Sequence, residues 1–354
     1  MDITAIQNKL ITWYLENAQT YPWREDPTPY HVWISEIMLQ QTRIEAALPY
    51  YQRFIEVLPN VQALAEVPQE ELLKLWEGLG YYSRAKNLQK AAQIIVREYA
   101  GQMPSDYGAL LSLPGIGAYT AGAIASIAYD ISVPAVDGNV MRVLARLTND
   151  NVDVLSTEGK KHFTELAKSL VPDQQAGDFN QALMELGEKV CLPNAAPRCS
   201  VCPILNECEG ARCGTAADLP TRIKKTRRRI ERRNVALILW DGDPSTVLLR
   251  KRGNVGLLAG MWEFPNAIGA DAFSAVPEEL AEHCEFVREL PPAKHLFSHI
   301  EWQMHGNMFL CRQPLSLSEE YRWVTFAELK ENYPIPGAFQ FYKAQLDGFL
   351  HKES

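Results

Sequence analysis

The sequence lacks an apolar run long enough to cross a membrane. Its longest uninterrupted apolar stretch, Val235–Trp240, covers six residues, whereas a transmembrane helix needs about 20. The first residues also lack a basic segment followed by an apolar one, and they carry Asp2 and Glu16 instead. We therefore expect no signal peptide, no membrane partner and a cytoplasmic location.

A net positive charge is absent as well. Lys and Arg number 35 against 43 Asp and Glu, and the net charge is −8. Residues 211–233 depart from this balance, with nine basic against two acidic residues. The composition excludes a global basic field, so any contact to nucleic acid must depend on individually placed donors and local positive patches.

The cysteines are few and unevenly placed. Four of the seven lie within eighteen residues, and these four contain a single C-x-x-C pair. Zinc usually takes two such pairs, whereas a four-thiolate iron–sulfur cluster suits one wrapping loop, although spacing alone leaves both metals open. Without a secretory signal, this crowding favours a metal site over a disulfide framework. The candidate ligands are Cys191, Cys199, Cys202 and Cys208.

The length of 354 residues predicts two domains. Apolar residues keep helical spacing through residues 1–190, with frequent Pro and Gly breaks and little strand signal, so we predict an all-α domain over 1–215. Residues 216–233 are predicted to be a basic linker, which is either simply solvated or also lies along phosphate.

Residues 234–354 have a different pattern, which predicts an α+β domain. Val235–Trp240 and Thr246–Arg250 are predicted strands joined by a turn. Residues 294–311 alternate in a way that is typical of a hairpin, and residues 337–350 are predicted to form a closing helix.

A glycine-rich turn, LPGIG at residues 113–117, separates two predicted helices at 105–112 and 119–129. Gly115 and Gly117 allow positive φ and a close backbone approach, and the following helix offers unpaired N–H groups that can hold a phosphate. A plain tight turn between helices needs glycine too, so this motif alone does not decide the function.

The motif VDGNV follows further along the chain. Its Asp137 precedes a predicted helix, where Asp is a common N-cap. Taken together, the pattern LPGIGAYTA…VDGNVMRV is similar to the helix–hairpin–helix DNA glycosylase superfamily. This resemblance implies that Asp137 is catalytic and that the hairpin binds the DNA backbone through Gly115 and Gly117.

The cysteine loop, residues 191–208, follows the segment FNQALMELGEKV. In that position it resembles the [4Fe–4S] motif of the endonuclease III and MutY branch of the superfamily. The first gap here, seven residues, is one longer than usual in that branch, and we expect the extra residue to bulge within 192–198. The resemblance implies a [4Fe–4S] cluster that shapes a DNA-facing loop, with Arg198 and Arg212 as candidates to face phosphate.

The segment SEIMLQQT at residues 35–42 resembles the MutY type specifically. In that type the carboxyl at Glu36 is the acid that protonates adenine and activates water, and an ionised Asp137 either stabilises the positively charged sugar or attacks it as a transient nucleophile. Tyr119 stands where relatives that also break the strand carry Lys, so no strong lyase activity is expected. Tyr119 and Asn139 are implied to be supporting hydrogen-bonding residues.

The same resemblance assigns further contacts to extruded adenine and to DNA. It implies that Gln41 and Tyr81 wedge into the base stack, and that Arg24 and Gln181 line the adenine pocket. Both Glu36 and Tyr81 also have a purely structural interpretation. Glu36 could be a solvated carboxylate on a helix, and Tyr81 could be an aromatic residue packed beside glycines.

Residues 234–354 resemble the Nudix-like C-terminal domain of the MutY type, including GLLAGMWEFP at 256–265. The chain lacks the Glu-rich metal-binding run of Nudix hydrolases, so nucleotide hydrolysis is not expected. Ser298 and His299, in the sequence FSH, correspond to a loop that senses 8-oxoguanine opposite the adenine, and their donors and acceptors suit that role.

The implied protein is a DNA glycosylase of base excision repair that acts as a monomer on double-stranded DNA. It would remove adenine mispaired with 8-oxoguanine or guanine. Two alternatives stay open at this point: an iron–sulfur protein that binds lesions without cutting, and a pyrimidine-lesion glycosylase of the endonuclease III kind.

Overall fold

The computed structural model describes residues 1–193, 196–223, 228–269, 271–313 and 317–350. The chain divides into two compact units. Unit 1 comprises Met1–Glu66 and Asn87–Lys224, and unit 2 comprises Val67–Lys86 and Lys225–Ser354. Unit 2 therefore includes a segment of the first half that no pattern in the sequence assigns to it. Within the described residues, no helix combines the length and the apolar character needed to cross a bilayer.

The helical character of the first half is confirmed. Asp2, Thr28, Asp106, Asp137 and Ser156 each accept a backbone N–H bond at a helix start, which is the usual action of these residue types as N-caps. Short 3₁₀ turns at Cys199–Val201 and Leu205–Glu207 shape the cysteine loop. The α-helices up to residue 212 are α1 (Ile3–Asn17), α2 (Pro22–Glu25), α3 (Pro29–Leu39), α4 (Ile44–Val57), α5 (Val61–Glu66), α6 (Gln69–Leu75), α7 (Ser83–Tyr99), α8 (Tyr107–Ser112), α9 (Ala118–Tyr129), α10 (Gly138–Leu147), α11 (Thr157–Leu170), α12 (Ala176–Lys189) and α13 (Glu209–Arg212).

The small residues of α9 let it pack closely against α3 and α12. A Cβ at Gly122 would lie 2.1 Å from the carbonyl oxygen of Pro134, so only glycine fits at that position. This tight packing fixes the first turn of α9, which carries Tyr119, beside α3, which carries Glu36.

Unit 2 contains a seven-stranded mixed sheet among its described residues. The strand order is β3-β2-β1-β6-β5, with β4 paired to β1 and β7 paired to β2. The pair β1·β6 is parallel, and the other pairs are antiparallel. The predicted α+β class is confirmed. The elements are β1 (Arg229–Trp240), β2 (Asp243–Lys251), β3 (Trp262–Glu263), β4 (Asn266–Ile268), β5 (Cys284–Leu296), β6 (Ile300–Cys311), β7 (Tyr321–Thr325), α14 (Phe326–Glu331) and α15 (Gln340–Leu350).

Strand β1 begins at Arg229, inside the segment 216–233 that the charge pattern predicted to be a linker. The strand accommodates these charges because Glu231, which is almost fully buried, accepts hydrogen bonds from Arg229, Arg233 and the indole of Trp302. Residues 224–227 of the predicted linker, like residues 194 and 195 of the predicted bulge, lie outside the described residues.

The predicted hairpin at 294–311 is confirmed as the end of the β5·β6 pair. Leu296 is paired with Glu301, and the N–H of Phe297 donates to the carbonyl of Ile300 at 2.8 Å. The two residues between them, Ser298 and His299, form an exposed tip. Helix α15 closes the unit, as predicted, and buries its inner face in the core.

Candidate active site

A cavity of about 740 Å³ opens in unit 1 between α2, α3, α9, α10 and α12. It brings together residues that lie far apart in the sequence, and every residue predicted for the chemistry or for the adenine pocket lines it. Gln41, predicted to be a wedge residue, also lies on its wall. The members of this set are Arg24, Glu36, Gln41, Tyr119, Asp137, Asn139 and Gln181.

Glu36 and Tyr119 form a short polar contact with each other in the cavity wall. The phenol of Tyr119 donates to Oε2 of Glu36 at 2.5 Å and lies 3.2 Å from the sulfur of Met184. Burial raises the pKa of Glu36 to about 7, and the nearby charge of Asp137 acts in the same direction. The Tyr119 hydrogen bond and the Arg24 charge oppose the rise. A carboxyl with this pKa is partly protonated near neutral pH, as a general acid requires.

Asp137 is held by more donors than Glu36. It caps α10, where its Oδ1 accepts the N–H of Val140 at 2.7 Å and its Oδ2 accepts the side-chain amide of Asn139 at 2.9 Å. Burial raises the pKa of Asp137, while these N–H donors and the charge of Arg142 oppose the rise by favouring the ionised form. The helix N-terminus favours a negative charge at the same place.

The two carboxyl groups therefore have different surroundings within one cavity. Burial is the largest effect on the pKa of both, but it is opposed at Glu36 by one phenol and the Arg24 charge, and at Asp137 by two backbone N–H groups, an amide and the Arg142 charge. Two carboxyls whose environments differ in this way can divide the work, one as a proton donor and the other as a fixed negative charge.

Three residues that the sequence analysis did not identify support the site. Glu185 forms an ion pair with Arg24 at 2.8 Å, and Met184 contacts the Tyr119 phenol. Arg142 donates to Oδ1 of Asn139 at 2.8 Å. The contact between Arg142 and Asn139 could have been predicted from the sequence, because positions three apart face each other on a helix. The contacts of Glu185 and Met184 depend on packing between helices.

The glycine-rich turn connects α8 and α9, as predicted. Gly115 has φ +80, and a Cβ there would lie 2.7 Å from Cβ of Asn87. Both the backbone conformation and the packing therefore require glycine at this position. Gly115 and Gly117 are exposed, and Gly117 is the N-cap of α9. The turn thus presents backbone N–H groups at a helix start, where anions bind favourably.

Both predicted wedge residues have unusual backbones. Gln41 has φ 61 and Tyr81 has φ 48, in the left-handed region that few non-glycine residues adopt. Both side chains are exposed. In unit 2 the phenol of Tyr81 lies 3.5 Å from the hydroxyl of Ser298, so the hairpin tip and Tyr81 belong to one surface of that unit.

The four clustered cysteines line one small cavity of about 30 Å³ next to α10. Arg146, almost fully buried, donates to the sulfur of Cys191 at 3.2 Å and to the carbonyl of Leu219 at 2.9 Å. In the part of the chain that the structure describes, no three His, Cys, Asp or Glu side chains form a group that could hold a metal ion. The candidate phosphate contacts Arg198 and Arg212 are exposed, and Arg212 forms an ion pair with Glu209.

An all-α unit with a glycine hairpin and a two-carboxylate cavity defines a helix–hairpin–helix DNA glycosylase. In agreement, residues 34–172 match the HhH-GPD superfamily of base excision DNA repair proteins, and residues 235–345 match the Nudix domain. The adenine DNA glycosylase of Mus musculus is 36% identical, over 92% of this chain and 75% of that protein. That of Schizosaccharomyces pombe is 30% identical, over 98% and 90%. The chain belongs to the adenine DNA glycosylase family.

A solved structure has a similar fold over part of this chain. A thermostable thymine-DNA glycosylase superposes with a TM-score of 0.55 and 27% identity, over 60% of this chain and 97% of that one. The likeness supports a shared glycosylase fold over that share of the chain.

Proposed function

We propose that this chain hydrolyses the N-glycosidic bond of adenine mispaired with 8-oxoguanine or guanine in double-stranded DNA. The observation that carries the proposal is the shared cavity of Glu36 and Asp137, with the pKa of Glu36 near 7. Membership of the adenine DNA glycosylase family supports adenine as the base removed. We assign the glycosylase chemistry to residues 1–215 and lesion recognition to residues 234–354.

Glu36 is proposed to act first, as a general acid. Adenine leaves poorly until a ring nitrogen is protonated, and a carboxyl that is half protonated near pH 7 can supply that proton. The bond from the Tyr119 phenol holds the carboxyl in one orientation. Arg24 and Gln181 line the same cavity and are proposed to position the extruded base.

Asp137 is proposed to stabilise the sugar as the base departs. The developing oxocarbenium-like charge needs an ionised carboxylate beneath it, and the donors around Asp137 favour that form. After protonation, Glu36 is left ionised and can take a proton from the attacking water. Tyr119 cannot form a Schiff base, so the reaction is expected to end with base release and an intact strand.

The DNA contacts are proposed to come from preformed backbone geometry. The N–H groups at Gly115 and Gly117 suit a phosphate, and the exposed, left-handed Gln41 and Tyr81 suit insertion into the base stack. Extruding a base costs a few kcal/mol, which such insertions and backbone contacts offset. Strained residues of this kind persist where the surrounding structure holds them, often at functional sites.

Ser298 and His299 are proposed to recognise 8-oxoguanine from the tip of the β5·β6 hairpin. Their exposure and the proximity of Ser298 to Tyr81 support this assignment. The double variant Ser298→Ala with His299→Ala should reduce the preference for 8-oxoguanine:adenine over guanine:adenine substrates. An unchanged ratio of the two single-turnover rates would contradict it.

The cysteine cavity is proposed to hold a [4Fe–4S] cluster. Such a cluster offers one iron to each thiolate, so its ligands stand further apart than those of a lone ion. Four cysteines of one wrapping loop that line a single cavity, with one C-x-x-C pair among them, fit such a cluster better than they fit zinc. When bound, the cluster would stabilise the loop and take no part in breaking the glycosidic bond. Iron and sulfide analysis should give four of each per chain, and zinc in their place would overturn the assignment.

The main test is a base-release assay on duplexes that carry adenine opposite 8-oxoguanine, guanine or thymine. Glu36→Gln and Asp137→Asn should each abolish release, while both variants still bind the duplex. If the wild type binds such DNA but releases no adenine, the chain is a lesion-binding protein. If it releases oxidised pyrimidines instead, it acts like endonuclease III.

A further inference from the structure

The loop that carries Tyr81 is held in a strained conformation. Gly78, Gly80 and Tyr81 have φ values of 105, 68 and 48. Glycine adopts such angles freely, but tyrosine does not, so the conformation at residue 81 needs external support. Tyr81 is nonetheless 48% exposed, so packing covers only about half of the residue.

Arg84, on the first turn of α7, contacts both the backbone and the ring of this loop. Its Nη2 donates to the carbonyl of Leu79 at 3.0 Å and to that of Gly80 at 3.2 Å. Its guanidinium lies 5.2 Å from the ring centroid of Trp76 and 5.7 Å from that of Tyr81. The guanidinium therefore links the fully buried indole of Trp76 to the exposed phenol of Tyr81. It also fixes the two carbonyls that precede Tyr81 in the sequence.

Trp76 donates to one of the same carbonyls. Its indole Nε1 donates to the carbonyl of Gly80 at 3.1 Å. Burial lowers the pKa of Arg84 to about 10, so the side chain still carries its charge at neutral pH. A planar, charged group that donates two hydrogen bonds and stacks on aromatic rings is a role for Arg that Lys does not fill.

We propose that Arg84 is a positioning residue that holds Tyr81 in its left-handed, exposed conformation before DNA binds. The inference rests on the proposed role of Tyr81 as a wedge. The loop is then ordered in advance, and the entropy of ordering it is not lost on binding. Arg84 acts through Tyr81, and its guanidinium does not serve as a phosphate contact.

A double-mutant cycle tests this coupling in the full chain. Wild type, Arg84→Lys, Tyr81→Ala and the double variant are titrated against a duplex with 2′-fluoro-2′-deoxyadenosine opposite 8-oxoguanine. A 2-aminopurine beside the adenine reports base unstacking. Tyr81→Ala should weaken binding by about tenfold or more, as loss of one stacking contact does. Arg84→Lys should weaken it by about fivefold alone, and by less than about twofold in the Tyr81→Ala background.

Two further variants keep the cycle interpretable. Tyr81→Phe retains the ring, so Arg84→Lys should keep its full effect there. Arg97→Lys is the matched control, because Arg97 lies on the same helix, is exposed and forms an ion pair with its neighbour Glu98. It should leave binding and the 2-aminopurine signal unchanged. Melting curves check that each variant folds as the wild type does.

The outcomes separate the two proposals. If Arg84→Lys weakens binding equally in the wild-type and Tyr81→Ala backgrounds, Arg84 acts independently and the inference is overturned, while the wedge role survives. If Tyr81→Ala changes neither binding nor the unstacking signal, the wedge role fails and the inference fails with it. If Tyr81→Ala weakens binding and Arg84→Lys has no further effect in that background, the result supports both the wedge role of Tyr81 and the positioning role of Arg84.

Discussion

The buried carboxyl of Glu36 should lower the stability of unit 1 at neutral and alkaline pH. Its pKa rises from an ordinary 4.5 to about 7 in the folded chain. Between these values the unfolded chain has released the proton and the folded chain has kept it, so the free energy of unfolding falls as pH rises. A shift of this size corresponds to about 3 kcal/mol, at about 1.4 kcal/mol per pH unit. This is an upper limit, because the cavity admits water.

The substitution Glu36→Gln removes the titration and keeps an oxygen that can accept the Tyr119 bond. The variant should be inactive yet more stable than the wild type at pH 8, with a melting temperature higher by at most about 6–12 °C for a unit of this size. At pH 5, where the wild-type carboxyl is protonated in the folded state, most of that difference should vanish. The exposed Glu16→Gln on α1 serves as the matched control. A melting difference that stays the same from pH 5 to pH 8 would refute the reasoning.

Three further results are expected. Tyr119→Phe removes the hydrogen bond that lowers the pKa of Glu36, so the alkaline fall in the single-turnover rate should move to higher pH; an unmoved profile would argue against Glu36 as the acid. Gly115→Ala places a Cβ 2.7 Å from Asn87 at φ +80. It should therefore lower the free energy of unfolding by about 1–3 kcal/mol in melting experiments, and it should weaken duplex binding in a titration. Wild-type product should stay unbroken on a denaturing gel until base or heat is applied, and efficient nicking without either would contradict the assignment of Tyr119.

Much of the fold follows from local sequence patterns. Helical spacing and Pro or Gly breaks predict the all-α character of the first half, and alternation predicts the hairpin that ends at Ser298 and His299. The start of β1 at Arg229 was missed because a run of Arg suggests a solvated segment. Buried pairing to Glu231 overrides that pattern, and such pairing depends on the fold.

The site was predictable in its motif residues and not in their neighbours. Glu36, Tyr119 and Asp137 stand in motifs that resemble a family, whereas Met184 and Glu185 enter through packing of α12 against other helices. The assignment of residues 67–86 to unit 2 is likewise a property of tertiary contacts. No local pattern encodes contacts between residues so distant in sequence.

Asp137 offers a case in which capping and catalysis can be separated. As the N-cap of α10 it needs only a side-chain oxygen that accepts the N–H of Val140, and Asn caps a helix about as well as Asp. Asp137→Asn should therefore change the stability of unit 1 by less than about 1 kcal/mol, whereas Asp137→Ala should cost about 1 kcal/mol or more through the lost cap. Both substitutions remove the negative charge, and both should abolish adenine release if that charge stabilises the sugar. An active Asp137→Asn variant would mean that Asp137 serves the helix alone, because its capping bond would survive while its charge would not.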